Sequence, residues 1–192
     1  MRNAMKPTTL LLLLSLLVVP GCASKGTSRY QAPQANLGAI RTAAVLPFVT
    51  LTGDAAHAEK VQRIFLGELL ALGAVEVVEP GRVAQLAARE QLVNTEALTP
   101  ADFTRIGREL GVDGLFFGTV VDYTEGLTGA IRAPEVTLQL RLVEVASGRT
   151  AWQVTTGRSG PNTRARLFGF GSDSLSETTR KLINEQLGSL VK

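Results

Sequence analysis

The sequence predicts an α/β fold: a mixed sheet of about five strands packed with helices, in the order βαβααβββα. Three observations predict it. Short apolar runs alternate with helical periods through the first half of the chain. Leu115 to Val121 is almost continuously apolar, as a strand buried on both faces must be. The segment Glu135 to Val145 then alternates and leads into a tight Ala-Ser-Gly-Arg turn, the mark of an antiparallel hairpin.

Each element has its own justification. Thr42 to Val49 (TAAVLPFV) reads as a strand ended by a Thr/Gly/Asp turn. Asp54 can cap a helix over Ala55 to Leu72, with Val61, Ile64, Phe65, Leu69 and Leu72 on one face and Gly73 as its stop. Val75 to Val78 is a short strand, and Pro80-Gly81 turns into a helix over about Arg82 to Gln91. Thr99 as cap and Pro100 at the first helical position open the next helix, which ends at Gly111. In the alternating strand, Val136, Leu138, Leu140 and Leu142 point one way, and Glu135, Thr137, Gln139 and Arg141 the other. That polar row is either a solvated sheet face or a face toward a neighbouring subunit. Trp152 and Val154 carry the apolar side into the strand Thr150 to Thr156. Ser174-x-x-Glu177 has the form of a capping box for a last helix reaching about Leu190.

Ahead of this domain lie two segments of different character. Arg2 and Lys6 precede the run Leu10 to Val19, broken only by Ser15. Ten residues are too few for a spanning helix, which needs about 20, but suit a signal peptide. The run ends in Val19-Pro20-Gly21-Cys22. Those four residues resemble the lipobox of bacterial lipoproteins, apart from Pro20, which departs from the commonest residue there. The resemblance implies cleavage before Cys22, acyl chains on its sulfur, and a membrane as partner; Ala23 after it favours the outer membrane over the inner. The expected organisation is therefore a signal peptide over 1–21, a flexible Gly/Ser/Pro/Gln-bearing tether over 22–39, and a single α/β domain over 40–192.

Composition narrows the function. Removing Arg2 and Lys6 from the 20 basic residues leaves 18 against 17 acidic ones, so the mature chain is nearly neutral and nucleic acid is not an expected partner. One cysteine and one histidine, His57, leave little from which to build a catalytic dyad or a zinc site. His57 is expected to be exposed. Asp113, Asp122, Glu125 and Glu144 fall on separate elements, and there is no Gly-x-Ser-x-Gly elbow. No enzyme, metal or cofactor is expected.

The most suggestive stretch of the mature chain is 158–171 (RSGPNTRARLFGFG), a candidate interaction loop. Arg158, Arg164 and Arg166 interleave with Leu167, Phe168 and Phe170, pairing charge with apolar anchors as binding hot spots do. Such a loop either contacts a protein or lipid headgroups, or plugs its phenylalanines into the core. Gly169-Phe170-Gly171 before a capped helix is a weak anion motif that lacks a phosphate-loop lysine.

Several stretches, taken in order, resemble the lipoprotein family typified by the curli secretion protein CsgG. They are Ala44–Phe48, Val77–Arg82, Leu110–Leu115 with Gly118-Thr119-Val120, Leu140–Val143, and Ser147–Trp152. The same α/β core is shared by LpoB and resembles the N-terminal domain of TolB. The resemblance implies a non-enzymatic module of the cell envelope, at the periplasmic face of a membrane, that binds an envelope protein or further copies of itself. It also raises the alternative of an oligomeric secretion channel. Spanning strands need about 9–11 residues each. The connection Thr124 to Ala133 has ten residues in total and Gly157 to Phe170 has fourteen, so a pore is not expected.

Overall fold

The computed structural model describes residues 26–128, 131–160 and 173–190. The signal peptide, Cys22 and most of the 158–171 loop lie outside those residues. Among the described residues, seven strands and four helices follow one another as β1 (Thr27–Gln31), β2 (Thr42–Val45), β3 (Val49–Thr50), α1 (Ala55–Leu72), β4 (Glu76–Val77), α2 (Pro80–Glu90), α3 (Pro100–Leu110), β5 (Gly114–Thr128), β6 (Ile131–Glu144), β7 (Arg149–Ser159) and α4 (Leu175–Leu187). They form one mixed sheet of order β1-β7-β6-β5-β2-β4, with β3 also on β5. The β2, β3 and β4 pairings are parallel, and β5, β6, β7 and β1 form an antiparallel meander.

The helix ends are written locally. Asp54 accepts from the Ala56 N–H to start α1, and Gly73 closes it in the left-handed region at φ 63°. Thr99 and Asp102 satisfy each other's backbone N–H groups at the start of α3. Ser174 accepts from the Glu177 N–H to open α4. Helices α1 and α4 cover one sheet face, burying Val61, Phe65, Leu69, Leu182, Ile183 and Leu187 against Phe116, Leu138, Leu140, Leu142, Trp152 and Val154. On the other face α2 and α3 bury Val83, Leu86, Phe103, Ile106 and Leu110 against Ala44, Leu46, Leu115, Phe117 and Val143. Arg89–Glu109 and Arg105–Glu90 ion pairs tie α2 to α3.

Four expectations are corrected. Thr27–Gln31, within the stretch read as tether, pairs along β7. All five residues are exposed and so carry no apolar period; the strand forms because the outer edge of β7 offers backbone groups to pair. The single strand read over Thr42 to Val49 splits into β2 and β3 around Pro47, which has no N–H for a ladder. The split turns Phe48 inward over Gly118, where a Cβ would stand 2.3 Å from the ring. Leu72 lies at the exposed end of its helix, 38% accessible, rather than in the core.

Fourth, the connection Thr124 to Ala133 is no loop. β5 and β6 stay paired out to Thr128↔Ile131, past a bulge between Val120 and Asp122. Pro134 fits within the strand because it lies beyond the last β6–β7 pair, Glu135↔Ser159, where β6 has no second strand partner among the described residues.

Candidate interaction surface

Of the loop residues singled out by sequence, Arg164, Arg166, Phe168 and Phe170 lie outside the described residues, as does Cys22. Arg158 is described, and it is engaged within the fold. It sits in β7 opposite Val136, and its Nη2 donates to Glu185 Oε2 of α4 at 3.0 Å. That contact pins the end of β7 to the last helix.

The polar row of β6 has a more open setting. Strand alternation puts Trp152, Val154 and Thr156 of β7 under the α1/α4 layer, and Gln153, Thr155 and Gly157 on the reverse side. Tyr30 of β1 is opposite Gln153 and half exposed. The apolar residues that α2 and α3 cover come from β2, β5 and the Val143–Val145 end of β6. Glu135, Thr137, Gln139, Gln153, Thr155 and Tyr30 therefore share a sheet face over which the α2/α3 layer does not extend.

Arg141 marks the border between the covered and open parts. Its guanidinium stacks on Phe117 at 4.6 Å and reaches Phe103 at 5.6 Å, a cation–π contact on both rings. Glu96 Oε2 is 3.6 Å from Arg141 Nη2, too long for a hydrogen bond. The other Glu96 oxygen accepts from Thr119 Oγ1 at 2.8 Å. Arg141 Nε and Nη2 are buried and find no acceptor among the described residues. Such donors lose water without a replacement, a cost a fold seldom keeps without another use. Deeper in the row, Thr155 Oγ1 donates to Gln139 Oε1 at 3.4 Å.

Glu96 was not foreseen. It lies in a 3-10 turn, Thr95–Ala97, fixed by Asn94 accepting from the Glu96 N–H and by Thr95 Oγ1 donating to the Pro47 carbonyl. The Asn-Thr-Glu triplet looks like any loop, so only the fold brings it to Arg141. A groove of about 580 Å³ adjoins it, lined in part by Phe48, Leu51, Val93 and Glu96. Leu51 is 69% and Val93 85% exposed, so the groove has an apolar rim.

His57 is only half exposed. Its ring lies 4.8 Å from that of Tyr123, and Nδ1 is 3.1 Å from Thr52 Oγ1. Asp113 holds the start of β2: its Oδ2 accepts from the Thr42 N–H, the Arg41 N–H and the Thr42 hydroxyl, which keep its carboxyl below the usual range. The Asp113 contacts brace backbone, whereas those of His57 are with side chains. Among the described residues no group of three or more His, Cys, Asp or Glu could hold a metal ion.

A mixed seven-stranded sheet with two helices on each face, ending in a meander, can be set beside solved structures. In fold, the chain is similar to PelC. The PelC dodecamer from Paraburkholderia phytofirmans aligns with a TM-score of 0.59 and 19% identity, over 87% of this chain and 97% of that one. Lipoprotein GNA1162 from Neisseria meningitidis aligns at 0.54 and 16%, over 77% and 99%. The LpoB C-terminal domain from Escherichia coli is more distant, at 0.42 and 19%, over 62% and 83%. No family model and no curated protein matches the sequence. The likeness to PelC and GNA1162 is one of fold, and GNA1162 shows that fold in a bacterial lipoprotein.

Proposed function

We propose that this chain is a lipid-anchored protein of the bacterial envelope, held at the periplasmic face of the outer membrane through Cys22, and that it works by binding proteins rather than by catalysis. The observation that carries the binding role is the sheet face bordered by Arg141, which no described helix covers. It is broad, polar and hydrogen-bonding, and it retains buried cationic donors that nothing in the described fold accepts from. The Val19-Pro20-Gly21-Cys22 motif supports the anchor. A second copy of the chain is the partner favoured, as PelC is a dodecamer of the same fold. The narrower kinship with the CsgG-like lipoproteins rests on the ordered motifs in β2, β5 and the β6–β7 turn. A role as a channel subunit is less well supported. Beyond Tyr123↔Val136 the β5–β6 hairpin has five further pairs, short of the roughly 9–11 residues a spanning strand needs.

Photo-crosslinking groups placed at Gln139, Gln153 and Thr155 in cells test the face. The expected result is adducts from these positions and none from a group at Lys181 on α4; adducts only from Lys181, or none, refute it. Separately, Cys22→Ser is expected to remove the acyl mass and release the protein from membranes. Unchanged membrane association, with no acyl mass on the parent, rejects the anchor.

A further inference from the structure

The register places Gly26, the first described residue, at the same end of the sheet as the tip of the β5–β6 hairpin. β1 runs antiparallel to β7, with Thr27 opposite Thr156, and the Gly157 N–H donates to the Gly26 carbonyl. Gly157 is in turn opposite Thr137 of β6, which is opposite Asp122 of β5. Gly26 therefore lies level with the Asp122↔Thr137 pair, at the end of the sheet from which the hairpin extends.

Two lengths can then be compared. Cys22 is four residues from Gly26 and, fully extended, stands at most about 14 Å from it. Leu127 is five residues beyond Asp122, about 17 Å further along the strand axis. β5, which carries Leu127, is three strands across from β1, roughly 14 Å to the side. A bilayer holding acyl chains on Cys22 is thus no farther from the domain than the hairpin already reaches.

The chemistry at that reach suits a membrane interface. Leu127 is 70% exposed, and its cross-strand partner Arg132 is exposed beside it. Between Glu125 and Arg132 the sequence Gly-Leu-Thr-Gly-Ala-Ile carries no charge. An aliphatic side chain next to an arginine can enter the acyl boundary while the guanidinium meets lipid phosphate. A single exposed leucine is unremarkable in itself; its distance and direction relative to the anchor set this one apart. We infer that Leu127 and Arg132, the cross-strand pair near the outer end of the β5–β6 hairpin, rest in the headgroup region of the membrane, so that lipid and hairpin together fix the orientation of the domain. The inference rests on the proposed acylation of Cys22.

The test uses the lipidated full chain. Acylation occupies the Cys22 sulfur, so Leu127→Cys introduces the one free thiol, which takes a polarity-sensitive fluorophore. Leu70→Cys, 58% exposed near the end of α1 and at the opposite end of the sheet, is the control. Both proteins are reconstituted into vesicles of phosphatidylethanolamine and phosphatidylglycerol, with or without headgroup-spin-labelled lipid. The expected result is co-flotation of both, with loss of emission on spin-labelled vesicles for the Leu127 position and none for Leu70. Co-flotation with an unquenched Leu127 label, or equal quenching at both positions, overturns the hairpin contact while leaving the anchor in place. Failure of both proteins to co-float removes the anchor, and the inference falls with it.

Discussion

Arg141 allows the cost of the open face to be measured. Replacing it with methionine removes three things: the cation–π contact, worth about 1–2 kcal/mol for a partly buried guanidinium; the long Glu96 pair, worth roughly 0–1 kcal/mol; and the burden of two buried donors without acceptors, about 1–3 kcal/mol each. The first two losses are offset by the third, and a thioether still packs on Phe117 and Phe103. Arg141→Met is therefore expected to lie between a loss of about 1 kcal/mol and a gain of a few kcal/mol relative to the parent. Arg141→Ala loses the contact with the rings as well and should be about 1–2 kcal/mol less stable than the methionine variant. Urea unfolding of the Cys22→Ser protein, followed by the emission of its sole tryptophan, Trp152, measures both. An Arg141→Met loss above about 3 kcal/mol would show that the guanidinium is a net stabiliser of the monomer. Retention of Arg141 for binding rather than for folding would then be refuted. If it holds, Arg141→Met keeps the fold and weakens crosslinking through Gln139 and Gln153.

Three further outcomes follow from particular contacts. Gly118→Ala drives a Cβ to within 2.3 Å of the Phe48 ring, itself packed 5.3 Å from Phe65; it should cost about 1–3 kcal/mol, read from the urea midpoint. Ser189→Ala takes the acceptor from the Trp152 indole N–H, now at 3.2 Å, and should cost about 1–2 kcal/mol while shifting the tryptophan emission. The Asp113 carboxyl is held below its ordinary value by Thr42 and Arg41, so its contribution is present above the unfolded-state pKa and fades as pH falls through the folded one. Asp113→Asn should consequently lose stability at pH 7, and the gap to the parent should narrow when midpoints are compared below about pH 4.

Legibility varied with how local each cause was. The start and stop of α1 needed only Asp54 and Gly73, and the α3 start only Thr99, Pro100 and Asp102, because those contacts lie within one helical turn. β6 and β7 were readable where one face is apolar, and faded where it is not. Past Tyr123 the hairpin is held by cross-strand pairing, which leaves no alternation to see. β1 was invisible for the same reason: its five residues bury nothing.

The amino-acid order alone determined the α/β class, the ends of α1 and α3, the split of β6 into an apolar and a polar side, and the lipobox motif on which the proposed anchor rests. Each depends on residues within a few positions of one another. The tertiary structure decided which polar side stays open, that Glu96 meets Arg141 across 45 positions of chain, and that β1 and the hairpin emerge at one end of the sheet. Those facts depend on which strands become neighbours, and strand neighbours are chosen by the packing of the whole sheet between its helices.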